Sequence, residues 1–256
     1  PIHPFDNGEL IIRDENLLPF PRTEEAVLGE LASYYAMISE VDDNIGKILD
    51  ALKKSEKYDN TIIIFASDNG LAVGQHGLIG KQNLYDHSIR VPLIISGPGI
   101  KKGVRTESLV YLHDLFPTIA DLVGIETPIN IDAKSLKPIL DDPNETVREN
   151  VFYLYKNFQR GVRNKDFKLI KYLVEGWQTT QLFDIKNDPL EMNNLVYDPK
   201  YADELEQMTA LLQECINESG GKVKLDQSDW GVNVIKSWAT KRKEKGLSLD
   251  YTGKDL

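Results

Sequence analysis

The sequence has a single cysteine, Cys215, so the chain forms no internal disulfide. It has no run of 18 apolar residues, the length a membrane-crossing helix needs. Positive charge is short as well: 30 Lys and Arg against 40 Asp and Glu give a net charge of −10. That balance excludes a general nucleic-acid binder, which needs a positive footprint over one face. No internal repeat is present, which removes the solenoid and propeller classes. The chain opens at Pro1-Ile2-His3-Pro4-Phe5 without a leader pattern, and nothing about its natural compartment follows from that. What is present is 41% hydrophobic content over 256 residues, enough for one sizeable core or two modest domains.

The stretch from Thr61 to Ser96 organises the rest. It begins with a wholly apolar run, Ile62 to Ala66, of the kind a strand buried on both faces requires. Asp68, Asn69 and Gly70 follow, putting a carboxylate, a carboxamide oxygen and a flexible residue where open α/β sheets keep their sites. Hard oxygen donors without a thiolate suit Ca²⁺ or Mg²⁺. Asp-Asn-Gly is equally a tight-turn tripeptide, but the residues after it do not alternate as a hairpin partner should. His76, Lys81 and His87 lie in the glycine-rich loop that follows, and a second apolar run, Val91 to Ile95, closes the stretch. A lysine there supplies a point charge for an anionic ester.

Residues 1–22 carry several prolines and no period, an irregular lead-in. From Thr23, a cap followed by Glu24 and Glu25, the residues Leu28, Leu31, Tyr35, Ile38, Val41, Ile45, Ile48 and Leu52 recur at helical spacing, predicting a long amphipathic helix against a sheet. Asp42 and Asp43 read as its wet face. A third strand is expected over Ser108 to Leu112, then a helix from Leu115 to Val123 closed by Gly124, with Asp114 in a structural cap position and His113 in packing or at the surface. After a proline-bearing segment the texture turns to β: Val151–Tyr155, Gln159–Arg163, Phe167–Val174 and Thr180–Ile185 predict an antiparallel sheet. A helix from Tyr201 to Asn217 follows, with Leu205, Met208, Leu212 and Cys215 on one stripe, so Cys215 is an inert core thiol. The remaining tail is polar, and its Lys241-Arg242-Lys243 cluster reads as a solvated helix face.

Ser67-Asp68-Asn69-Gly70, Gly74-Gln75-His76-Gly77, Gly80-Lys81 and Ile89-Arg90-Val91-Pro92-Leu93-Ile94 follow in order a block that resembles the sulfatase family, within the alkaline-phosphatase-like superfamily. Leu182-Phe183-Asp184-Ile185, Asp188-Pro189-Leu190-Glu191 and Asn193-Asn194-Leu195 resemble that family's carboxyl-terminal signature, whose Asp184, Asp188 and Asn194 read as turn chemistry. The resemblance implies an α/β fold: part of a doubly wound, mostly parallel sheet with helices on both faces, then a smaller antiparallel sheet with a packed C-terminal helix. It divides the chain into 1–124, the second half of the α/β domain; 125–149, a linker or covering segment; 150–218, the antiparallel subdomain; and 219–256, a polar tail.

The resemblance implies hydrolysis of sulfate esters by a formylglycine nucleophile beside Ca²⁺, with Mg²⁺ the alternative ion. Asp68 and Asn69 match metal ligands, Lys81 matches the catalytic and sulfate-holding lysine, and His76 matches a substrate-facing, catalytic position. His3 lies one place from the family's further substrate-binding histidine. No C/S-x-P/A-x-R segment, from which formylglycine is made, occurs in the chain, and the family's first Asp pair has no counterpart. The expectation is therefore the carboxyl-terminal half of a sulfatase, inactive alone, partnered by the missing N-terminal half and by a sulfated small molecule or carbohydrate, with no nucleic acid or membrane partner. A periplasmic or secreted setting is implied by the family. A phosphatase or phosphodiesterase of the same superfamily, or a catalytically silent binding module, are the alternatives. Asn69, a neutral amide where a zinc enzyme would place more His and Asp, favours calcium.

Overall fold

A computed structural model of the chain describes residues 3–10, 18, 21–128, 130–230 and 243–246. Its first elements are α1 (Glu24–Lys54), β1 (Ile63–Ala66), β2 (Ala72–Val73), β3 (Ile79–Gly80), α2 (Asp86–Ile89) and β4 (Leu93–Ser96). Then come α3 (Leu115–Val123), α4 (Lys137–Asp141), β5 (Val151–Tyr155), β6 (Gln159–Arg163), β7 (Phe167–Val174), β8 (Trp177–Asp184) and α5 (Ala202–Glu218). The protein is α/β, with a smaller antiparallel sheet and a C-terminal helix packed on it. Two compact units interleave along the sequence, one of residues 1–35, 69–90 and 152–256, the other of 36–68 and 91–151. Segment 69–90 falls in the same unit as the C-terminal sheet.

In the first unit the sheet runs β5-β6-β7-β8, with β6–β7 and β7–β8 antiparallel. β5, β6 and β7 occupy the expected ranges. β8 starts three residues earlier than expected, since Glu175 and Gly176, both at positive φ, make the two-residue turn that pairs Trp177 with Val174. Alternation divides the apolar residues between two faces. Ile170, Tyr172 and Phe183 pack with Leu84, Tyr85, Leu78 and Ala72 of the glycine-rich loop. Val162, Leu169 and Leu182 pack against Met208, Leu212, Cys215 and Ile216 of α5. Burial pushes the Cys215 thiol up to about 11, as an inert core thiol requires.

One expectation from the sequence is corrected by this unit. The polar tail contributes to its core, with Leu225 and Trp230 buried against α5; Lys241 and Arg242 lie outside the described residues. The lead-in forms no helix or strand among its described residues, as expected, and is packed: His3, Asn7, Glu9 and Leu10 are buried. Gly8, at φ +86, comes so close to the Phe158 ring that a methyl group there would lie 2.5 Å from Cε2.

In the second unit β1 and β4 pair antiparallel, Ile63 opposite Ser96 and Ala66 opposite Leu93. The parallel pairing expected of the larger sheet is not made between these two. Ser108 to Leu112 form no strand; the Ser108 hydroxyl donates instead to the Glu145 carbonyl. Asp114 is fully buried, accepting from the Tyr111 and Lys134 amides and from the Arg148 guanidinium, while His113 stacks on Tyr111 at the surface. α3 ends at Gly124 in the left-handed conformation, as expected.

α1 spans its predicted range and is capped by the Thr23 hydroxyl on the Ala26 amide. None of its residues is buried, however, and Tyr35, Val41 and Ile48 of its apolar stripe are exposed. β1 is half-buried rather than enclosed on both faces, with Phe65 exposed, and Ile94 of β4 is 60% exposed.

Candidate functional site

The glycine-rich loop is held on the antiparallel sheet by a match of periods. Gln159, Gly161 and Arg163 are alternate residues of β6 and share one face. They meet alternate residues of the loop: Gln159 Nε2 donates to the Gln82 carbonyl at 3.3 Å, Gly161 abuts Leu84, and Arg163 Nη1 bonds Asp86 Oδ2 at 2.5 Å. A side chain at 161 would press on Leu84 Cδ1 and the Leu169 carbonyl, so glycine lets the loop approach.

Lys168 lies opposite Arg163 in the β6–β7 register, a like-charge pair that would be destabilising alone. Asp86 and Glu191 neutralise it. Lys168 Nζ is fully buried, 2.9 Å from Asp86 Oδ1 and 2.6 Å from Glu191 Oε1, and the Asp86 amide donates to Glu191 Oε2 at 2.6 Å. Burial works to raise the Asp86 pKa, but Lys168 and Arg163 hold it below the ordinary carboxylate value. For Glu191 burial prevails and its pKa is raised.

Above this quartet sits Tyr85, fully buried, ringed by three of the protein's four histidines. The His76 ring stacks on it at 4.0 Å and 6°, and His87 lies 5.6 Å away. His3 Nε2 is 3.1 Å from the Tyr85 hydroxyl, and its Nδ1 is 2.6 Å from the Phe5 carbonyl. Burial lowers all three histidines, His3 to about 4, His87 to about 3, and His76 below its usual value, so the rings are neutral at pH 7. His76 has left-handed backbone (φ 54, ψ 20).

Lys81 is exposed at the tip of the same loop. Its amide donates to Gln82 Oε1 and its carbonyl accepts from the Asn83 amide, fixing the turn from which the ammonium projects. Gly70 is pinned by a 2.8 Å bond from its amide to the Ser88 carbonyl; a Cβ there would lie 2.0 Å from the His87 carbonyl oxygen, which only glycine avoids. Asn69 is half-buried and Asp68 exposed, adjacent carboxylate and carboxamide oxygens whose donor chemistry fits a hard cation. Among the described residues no three His, Cys, Asp or Glu side chains converge as a metal cage.

The structure therefore gathers His3 and His76 about Tyr85 and carries Lys81 on the same loop. It also shows what the sequence reading missed. Asp184, Asp188 and Asn194 do make turn bonds, from the amides of Asn187, Asn193 and Val196, and Asn194 also accepts from the Leu182 amide on β8. Glu191 of the same signature does more, closing the charge quartet beneath the loop. One signal was available: Lys168 is a charge inside the apolar run Phe167, Leu169, Ile170.

Residues 13–125 match the family described as Sulfatase, and residues 74–218 match N-sulphoglucosamine sulphohydrolase, C-terminal. The N-acetylglucosamine-6-O-sulfatase of Bacteroides thetaiotaomicron is 35% identical over 198 residues, 72% of this chain and 35% of that protein. A structure in complex with its substrate D-glucosamine-2-N,6-O-disulfate superposes with a TM-score of 0.70 at 33% identity, covering 76% of this chain and 42% of that one. The phosphonate monoester hydrolase of Agrobacterium radiobacter aligns with a TM-score of 0.68 at 29% identity, over 77% of this chain and 43% of its own. The chain thus spans between about a third and under half of the length of these relatives.

Proposed function

The chain belongs to the sulfatase family, and from that premise we propose that it supplies one side of the active site of a sulfuric ester hydrolase, the nucleophile coming from a segment upstream of Pro1. The observation that carries this reading is the second family match, which runs unbroken from the His76 loop through the sheet on which that loop is laid. The exposed apolar stripe of α1 and the exposed Ile94 of β4 support a further covering segment, since apolar surface of that extent marks a face made for another element.

In this reading the Lys81 ammonium binds a sulfate oxygen and offsets charge gathering there as the ester bond breaks. His76 is neutral, so a ring nitrogen takes a proton from the reacting group. Asp68 and Asn69 would hold calcium, whose charge when bound polarises the sulfate. His3, buried behind Tyr85, supports that ring rather than touching substrate. A sulfated sugar is the substrate class proposed, on the strength of the two sugar-sulfate relatives.

The test is sulfate release from an activated aryl sulfate and from N-acetylglucosamine-6-sulfate, by the 256-residue chain and by the same chain extended through its upstream reading frame. The extended protein is expected to be active and the chain alone inactive. Lys81→Ala should lower kcat by a factor on the order of 10². Equal rates from both proteins, or an unchanged kcat in Lys81→Ala, would refute the reading.

A further inference from the structure

His76 is half-buried on left-handed backbone (φ 54), a conformation that persists only where the surroundings over-determine it. Its backbone is held from one side. Arg22 Nη1 donates to the Gly77 carbonyl at 2.6 Å, and the Gly77 amide donates to the Gly74 carbonyl at 3.0 Å. With the backbone held, what is left to set is the swing of the imidazole about its side-chain torsions. The Tyr85 ring lies parallel to the imidazole, at 4.0 Å and 6°, so the imidazole cannot turn without lifting off the phenol or displacing it.

Tyr85 itself is fixed at both ends. Its amide is held by Asn83 Oδ1 at 3.2 Å, and its carbonyl accepts from the Ser88 and Ile89 amides at 2.9 and 3.1 Å. At the far end of the buried ring, the hydroxyl donates to Gln181 Oε1 at 2.9 Å, and His3 Nε2 stands 3.1 Å away. The same Gln181 oxygen accepts from the Tyr172 hydroxyl at 3.2 Å. Phenylalanine would fill the same space. A phenol there engages three buried polar side chains, from β7, β8 and the lead-in, and a satisfied buried network makes the groups it joins rigid.

We propose that Tyr85 is the positioning residue for His76: its ring, tied through the hydroxyl to Gln181 on β8 and to His3 of the lead-in, is the fixed plane against which the imidazole is set. The C-terminal sheet thereby reaches His76 through one phenol. His76 is the proton acceptor of the sulfatase reading, and the catalytic meaning of this role rests on that reading.

The test has two arms. In the 256-residue chain, ¹H NMR reads the carbon-bound protons of the His76 ring, which the ring current of a stacked phenol displaces upfield. Tyr85→Leu should abolish that displacement. Tyr85→Phe keeps the ring and removes the tie, and Gln181→Met removes the acceptor while leaving Tyr85 intact; both should weaken it. In the protein extended through its upstream reading frame, Tyr85→Leu should lower kcat by a factor on the order of 10², the scale of a misplaced reacting group. Tyr85→Phe should restore most of this, remaining about five-fold below wild type, the factor carried by one net hydrogen bond. KM should not change in either variant. If Tyr85→Leu does not fold, Tyr85→Phe and Gln181→Met decide. Wild-type His76 shifts in both of those overturn the proposal, as does a folded Tyr85→Leu protein with wild-type kcat. A loss that falls on KM with kcat kept also overturns it, making Tyr85 a wall of the binding site. Displaced His76 signals in variants of a full-length protein that hydrolyses no sulfate ester would support the coupling of Tyr85 to His76 and retire the sulfatase reading alone.

Discussion

Acidification from pH 7.5 to 5 should destabilise the protein through its buried histidines. His3 and His87 have folded pKa values of about 4 and about 3 against 6.5 when unfolded, both lowered chiefly by burial. The unfolded chain therefore binds more protons below pH 6.5, and stability falls as pH falls from there toward the folded values. At pH 5 each histidine contributes a loss of about 2 kcal/mol, roughly 4 kcal/mol together, from 1.36 kcal/mol per pH unit. His76, also lowered, adds in the same direction. The carboxylates do not imitate this. Asp86 and Asp114 have depressed values, so their contribution is lost only below the ordinary carboxylate range, and Glu191, whose value is raised, gains stability as pH falls. Urea titrations followed by fluorescence of the buried Trp230 should show the midpoint falling by about 2 M, taking an m-value of roughly 2 kcal/mol/M. His87→Leu should remove about half of the pH slope, because His87 Nε2 is buried without a hydrogen-bond partner. A midpoint that stays level between pH 7 and 5, or a slope that His87→Leu leaves untouched, would refute the reasoning.

Lys168→Met should cost about 3–5 kcal/mol, because it leaves Asp86 with Arg163 alone and takes from Glu191 its Lys168 partner; the same urea assay checks it, and a loss under about 1 kcal/mol would show the quartet to be hydrated. Calcium should bind the 256-residue chain only weakly, with a dissociation constant above about 10⁻⁴ M, since Asp68 and Asn69 bring one charge between them; calorimetry that finds micromolar affinity would show a complete cage within this chain.

β5, β6 and β7 were legible to the residue because alternation and the Asn, Gly and Asp turns between them agree. The stripe on α5 was equally plain, since each of its members fills the core that the helix covers. Burial of α1 was not legible. Periodicity shows which face of a helix is apolar, but covering that face takes a second element, which the described residues do not provide. Ser108 to Leu112 have the texture of a strand but lack a ladder, and a lone strand cannot satisfy its backbone. The charge quartet escaped for a different reason. Its members lie at 86, 163, 168 and 191, so no local window contains them. Motif matching picked out His76 and Lys81, passed over Asp86 and quoted Glu191 only as a member of the carboxyl-terminal signature, since the roles of both come from contacts 23 to 105 residues distant.

Burying four charges is a poor way to gain stability, because desolvation offsets most of the attraction. Its advantage in this fold is register. The loop meets β6 through residues 82, 84 and 86, and the apolar contact at Leu84 would tolerate a slip that Asp86 would not. A shift of one residue would set Tyr85 or His87 against Arg163 and Lys168, leave Arg163 without its carboxylate and Lys168 with Glu191 alone, and carry Asp86 to the wrong face. Hydrophobic packing alone distinguishes such registers weakly, whereas a guanidinium that loses its carboxylate beside a buried lysine disfavours them. Lys81 precedes the first of these contacts by one residue, and His76 lies on the same loop against the turn that Glu191 closes. The quartet thus fixes where both side chains emerge, and a sulfatase signature found in the C-terminal sheet is accounted for by what it holds in place.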